Sequence, residues 1–184
     1  SASLGMTLAA LGGGAMAQII VGPGPITATV AVTGATGDKT IVGSTAISVT
    51  ANSRATNVAG SALTIDSTAG PSPGPITIDS IAGNGLHAES GGGEILVSNG
   101  GLTVTTTGGH AALANLGAEI TVSNGVNLGT RGVGAGLAAI GAGSLIDATG
   151  ATVSNTGVGT ISAGHGAVTE AGGQIILRQV SVLA

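Results

Sequence analysis

The chain has 184 residues, of which 36 are Gly; it contains no Cys, Phe, Tyr or Trp, and its formal net charge is −4. The missing cysteines exclude disulfides, thiol chemistry and zinc–thiolate sites together. Four Lys/Arg against eight Asp/Glu, with no aromatics, argue against nucleic acid, which needs clustered basic residues to displace counterions and rings to stack on bases.

So much glycine without a three-residue period is not collagen. Abundant Val, Ile, Leu and Ala with little charge is the reverse of a disordered composition. What remains is many short strands separated by Gly-rich turns, with small β-branched side chains stacked in thin layers.

Residues 1–17, SASLGMTLAALGGGAMA, resemble the second half of a secretory signal peptide: an apolar run from Leu4 to Leu11, then a small-x-small site at Ala15-Met16-Ala17. The basic part that should precede it is missing, so further residues are expected upstream. The alternative is an apolar cap or first coil; the glycines and Gln18 make Leu4 to Val21 a weak membrane span.

Residues 18–82 are expected to form irregular coils. Gly22-Pro23-Gly24-Pro25 marks a turn, and Ile26 to Thr33 alternates with period two, as a half-buried strand does. Gly37-Asp38-Lys39 is expected as a turn, Asn52, Ser53, Arg54 and Asn57 as a polar corner. Ala46–Thr50, Ala62–Asp66 and Ile76–Asp79 are three further short strands.

Residues 83–184 repeat. Gly85 to Ile95 reads GLHAESGGGEI, and related strings open at Gly109, Gly136 and Gly164. Each passes an Ala-rich apolar step and a Gly pair or near-pair, then enters an Ile or Leu strand. The markers Ile95, Ile120, Leu145 and Ile175 lie 25, 25 and 30 residues apart, the period of a solenoid in which each coil buries its apolar face only against a neighbour. Ser-Asn-Gly or Ser-Asn-Thr-Gly follows at Asn99, Asn124 and Asn155. Asn and Gly both tolerate the left-handed region, so these three are expected as a side-chain ladder at one corner. Gln174 to Leu183 is the longest strand-like run, expected to leave an open edge prone to self-association.

GLHAESGGGEILVSNGGLTVTTTG followed by GHAALANLGAEITVSNGVNLGTRG resembles the passenger region of bacterial autotransporters, the pertactin-like right-handed parallel β-helix. The matching positions are Gly83, Gly85, Leu86, Ala88, Gly92, Gly93, Ile95, Thr107 and Gly108, then Gly109, His110, Ala111, Gly117, Ile120, Thr130 and Gly132. The resemblance implies a single-stranded right-handed parallel β-helix of about six to seven coils of roughly 25 residues. It also implies secretion through the periplasm and outer membrane, display at the cell surface, and adhesion to a host surface, extracellular matrix or glycan. Two departures stand out. Passengers usually carry aromatics, and the family's translocator barrel, which needs aromatic girdles, has no counterpart in these residues and is expected downstream.

Several side chains invite a functional reading beside a bland one. His87, His110 and His165 open three coils and suit either a metal or a turn surface. Glu94 and Glu119 precede their strand markers, with Ser144 and Gln174 as later equivalents. They could act as an acid/base pair or stand as a solvated ladder. Thr103, Thr105 and Thr107 suggest an ice-binding array, but the following coils, with Val126, Leu128 and Thr130 and then Val158 and Thr160, break it. Asp38, Asp66, Asp79 and Asp147 lack the calcium-repeat pattern, and Gly91-Gly92-Gly93 lacks the Lys-Ser/Thr of a phosphate loop. Gly129 to Gly136, with Thr130 and Arg131, is the expected ligand loop. The sequence thus predicts no enzyme, no cofactor and no metal, but a structural or adhesin-like surface segment. Its alternatives are a free-standing solenoid that binds glycan or ice and a filament-forming protein.

Overall fold

A computed structural model describes residues 19–33, 38–49, 55–58, 62–90, 92–157 and 165–183. The signal-like segment 1–17 and the corner residues Asn52, Ser53 and Arg54 lie outside them. Among the described residues there is no helix. Strands β1 (Ile19–Val21), β2 (Gly24–Ile26) and β3 (Val30–Thr33) join three different sheets, and the same order then recurs. It continues with β4 (Lys39–Val42), β5 (Thr45–Val49) and β6 (Ala55–Val58), then β7 (Ala62–Asp66), β8 (Ile76–Ser80) and β9 (Leu86–Glu89). Next come β10 (Glu94–Val97), β11 (Leu102–Thr106) and β12 (Ala112–Asn115), then β13 (Glu119–Val122), β14 (Asn127–Thr130) and β15 (Leu137–Ile140). The series ends with β16 (Leu145–Thr149), β17 (Thr152–Asn155), β18 (Ala167–Glu170), β19 (Gln174–Arg178) and β20 (Ser181–Leu183).

Every third strand adds to the same ladder. Sheet I runs β1-β4-β7-β10-β13-β16-β19, sheet II β2-β5-β8-β11-β14-β17-β20, and sheet III β3-β6-β9-β12-β15-β18. All pairings are parallel. The protein is therefore an all-β parallel β-solenoid. Strands upstream of residue 83 belong to the same three ladders as those beyond it.

The interior is built from columns of like residues. In sheet I, Leu63, Ile95, Ile120 and Ile146 stack in register and are fully buried. In sheet II the column is Ile47, Ile78, Val104, Leu128 and Val153. In sheet III, Leu86, Ala112 and Leu137 alternate large and small. Aliphatic side chains repeat at the strand spacing, so a thin core fills without aromatic rings. Lys39 stands in the first column, paired with Leu63. It is a strand residue and not a turn, and its ammonium donates to the Ala31 carbonyl.

Four further sequence expectations need correction. Ile26 to Thr33 is not one strand: Ile26 ends β2 and Val30 begins β3, with a corner between them. Gln174 to Leu183 is likewise two strands, broken at Gln179, whose φ is 54°. Asn57 lies within β6, not at a corner. The sheet I marker is Ile146 and not Leu145: Ile120 pairs with Ile146, which is fully buried. The corner from sheet III to sheet I explains that slip. It has three residues at 116–118 and 171–173 but four at 90–93 and 141–144.

Candidate functional site

The outer face of sheet II carries the most continuous polar surface among the described residues. Inward-facing Ile78, Val104, Leu128 and Val153 alternate with outward residues. The register places Thr77, Thr103, Asn127 and Thr152 in one outward column, and Asp79, Thr105, Gly129 and Ser154 in the next. In register Thr103 is followed by Asn127 and Thr105 by Gly129, so the Thr array is broken in the next coil; Val126 and Leu128 point into the core. Thr107 lies past the end of β11.

Gly129 interrupts the second column. A shallow open depression forms there, lined by Thr103, Thr105, Asn127, Gly129, Arg131, Ser154 and Thr156. A β-carbon placed on Gly129 would stand 3.1 Å from Ser154 Oγ. Ser154 Oγ therefore leans over the glycine, and the depression is a shallow notch that a side chain at 129 would fill only by turning Ser154 aside. Arg131 is exposed at its rim, its backbone N–H donating to Thr106 O at 2.8 Å.

Thr130, expected as a ligand residue, is 1% exposed and faces inward. It belongs to a buried polar column with Ser80, Thr106 and Asn155, which braces the corner from sheet II to sheet III. Ser80 Oγ donates to Gly83 O at 2.6 Å and Thr106 Oγ1 to Gly109 O at 2.7 Å. Thr130 Oγ1 donates to Gly109 O at 3.4 Å and accepts from Gly132 N at 3.3 Å. Asn155 Nδ2 donates to Gly134 O at 2.8 Å. Buried polar groups require such partners. The segment from Gly129 to Gly136 is accordingly the end of β14 and a corner of the solenoid, not a loop that interrupts it: the corner, residues 131–136, is one longer than the equivalent 107–111.

The expected three-residue Asn ladder does not form. Asn99 and Asn124 follow β10 and β13 of sheet I at the same corner. Asn155 ends β17 in sheet II, and Gly150 takes the position after Asn124, its carbonyl accepting from Gly125 N at 3.3 Å. Asn99 Nδ2 instead donates to Asp66 Oδ2 at 3.0 Å, and Thr68 donates to Asp66 Oδ1 through N at 2.8 Å and Oγ1 at 2.7 Å. Partial burial of Asp66 opposes its ionisation, but these donors prevail and hold the carboxyl below its ordinary value.

Glu94 and Glu119 are neighbours in register, about 4.8 Å apart at the strand spacing. Both are exposed. The next position is Leu145 and not Ser144. Ser144 is 1% exposed and internally committed, donating to Ile140 O at 2.7 Å and accepting from Gly117 N at 3.0 Å.

The three histidines divide. His87 lies on β9 beside Leu113, its Nε2 3.9 Å from Glu89 Oε2. His110 and His165 occupy the equivalent corner two coils apart, with Ala135 between them. Ala135 N donates to His110 Nδ1 at 2.9 Å, which leaves the proton of the neutral ring on Nε2. Burial pushes both His87 and His110 below the ordinary histidine value, against an opposing pull from Glu89 on the first and Glu170 on the second. Among the described residues no three His, Cys, Asp or Glu are grouped to hold a metal ion.

Gly129 enters the sequence reading only as the start of the expected loop, and Asn127 and Ser154 not as site residues. Nothing in their spacing marks them; only the register of β11, β14 and β17 brings them together. No protein-family model, no curated protein and no solved structure matches the chain.

Proposed function

We propose that the chain is a non-enzymatic surface scaffold, a segment of an autotransporter passenger exported through the periplasm and outer membrane, with the outer face of sheet II as its adhesive surface. The observation that carries this reading is the continuity of that face. Short polar residues follow one another down the column Thr77, Thr103, Asn127 and Thr152, on a backbone that needs none of them for its core. A solenoid is suited to a stalk because each coil contacts only its neighbours and length can be added without redesign. Its partner in this role is a host-surface or matrix ligand, with a translocator barrel downstream.

The proposal includes right-handed winding and six to seven coils. Ladders of seven, seven and six strands support the count. The hand is supported by parallel strand–crossover–strand connections, which are right-handed in about 98% of cases.

The hydroxyl-rich columns also favour a second reading, a free-standing module that binds glycan or ice. Antibodies raised against residues 62–157 test the first. Labelling of intact cells of the source organism, lost on protease shaving, is expected; labelling only after permeabilisation overturns it. Slowed ice recrystallisation by the purified chain would favour the second.

A further inference from the structure

We infer that the notch over Gly129 is a binding site for an acidic saccharide, a sugar carrying a carboxylate or sulfate group. The inference rests on the adhesive reading and names its ligand class. On the outer face, Thr105 and Ser154 stand on the strands either side of Gly129. Asn127 and Arg131 stand two residues before and after it along the chain, roughly 7 Å away in each direction. A shallow depression is thus framed by hydroxyls, an amide and a guanidinium. Hydroxyl and amide groups both donate and accept, as sugar hydroxyls require.

The guanidinium fixes the charge of the ligand. Among the described basic side chains, Lys39 is bound to the Ala31 carbonyl and Arg178 to Asp147. Arg131 has no such commitment. Its planar fork fits a carboxylate or sulfate with two parallel donors. The chain is acidic overall, at −4, but the acid nearest the notch along its column is Asp79, two strands from Gly129. That is about 10 Å, close to one Debye length at 0.1 M salt, so its repulsion is partly screened. With no aromatic ring to stack on a sugar face, a single site is weak, roughly millimolar. Useful adhesion then comes from many saccharide units meeting many copies of the chain.

The test is an amide NMR titration of the whole chain with three probes: a sulfated heparin tetrasaccharide, a tetragalacturonate and neutral maltotetraose. The inference expects saturable shifts at Gly129, Arg131 and Ser154 with at least one acidic probe, and none with maltotetraose at the same concentration. The two acidic arms separate sulfate from carboxylate. Arg131→Gln should weaken binding about fivefold to tenfold. Gly129→Thr fills the notch with a residue that favours strands, turning Ser154 aside, and should abolish binding in a chain that still melts cooperatively. No shifts with either acidic probe, equal shifts with maltotetraose, or unchanged binding by a folded Gly129→Thr chain would overturn the site. Failure of surface labelling with binding intact would remove the display reading and leave the site standing; labelled cells without binding would do the reverse.

Discussion

Asn124 and Asn155 close the same four-residue string, Thr-Val-Ser-Asn, yet stand at different corners of the solenoid. Asn124 follows β13 in sheet I and is exposed; Asn155 ends β17 in sheet II and is 5% exposed. The carboxamide of Asn155 donates to Gly134 O at 2.8 Å and His165 O at 3.3 Å, and accepts from Gly157 N at 2.9 Å. Removing it leaves buried partners unsatisfied. Asn155→Ala should therefore cost about 2–3 kcal/mol, whereas Asn124→Ala should stay within about 0.5 kcal/mol. Urea unfolding of the two variants side by side checks this, and equal midpoints would refute the assignment of the two corners.

That pair also shows what the sequence carries and what it does not. Parallel stacking and the column joining Ile95 to Ile120 were legible, because β-branched residues recur in each coil at the strand positions. The third strand of each coil was not: Leu86–Glu89 and Ala112–Asn115 are short and Ala-rich, and so look like part of a turn. Register was lost at 141–144, where one extra corner residue shifts Ile146 into the place expected for Leu145. The notch at Gly129 was illegible for the same reason. A site spread over three strands can be found only once their register is known, and corners that gain or lose a residue erase register from spacing.

Ile120 is fully buried, between Ile95 and Ile146 in its column. Ile120→Asp places a charge there with no partner, which the chain can accommodate only by unfolding or by neutralising the acid at several kcal/mol. Ile120→Ala removes buried methyl groups and should cost about 2–4 kcal/mol. The expected result is loss of the cooperative thermal transition in the first variant and a lowered midpoint in the second. An unchanged melting curve for Ile120→Asp would contradict the packing.

Stability should fall on mild acidification. His87 and His110 both bind protons less readily when folded than their ordinary value of 6.5. Below that pH the unfolded chain takes up more protons than the folded one, so the unfolded state gains. The penalty is absent well above pH 6.5, grows as pH falls through it, and levels off once the folded-state values are passed. Asp66, held below its ordinary 3.8, adds a second loss with the same sign at lower pH. Melting temperatures measured from pH 8 to pH 4 should decline first near 6.5. In a His87→Gln, His110→Gln double variant that first decline should be shallower. A flat profile in the native chain would count against the burial of both rings.

The corner from sheet III to sheet I begins with a left-handed residue in each coil where it is described: Ser90 at φ 69°, Leu116 at 55°, Gly141 at 94° and Ala171 at 50°. For a side chain larger than glycine that conformation costs roughly 1–2 kcal/mol. Leu116 recovers little in return, since 58% of it is exposed. Replacing it with glycine removes the strain at the price of a looser unfolded chain, worth about 0.5–1 kcal/mol the other way. Leu116→Gly should therefore raise stability by up to about 1 kcal/mol, and Gly141→Leu should lower it by about the same amount or more. Thermal melts of both variants decide the matter. If Leu116→Gly melts below the native chain, the leucine contributes to packing at this corner and the positive φ is not the dominant effect.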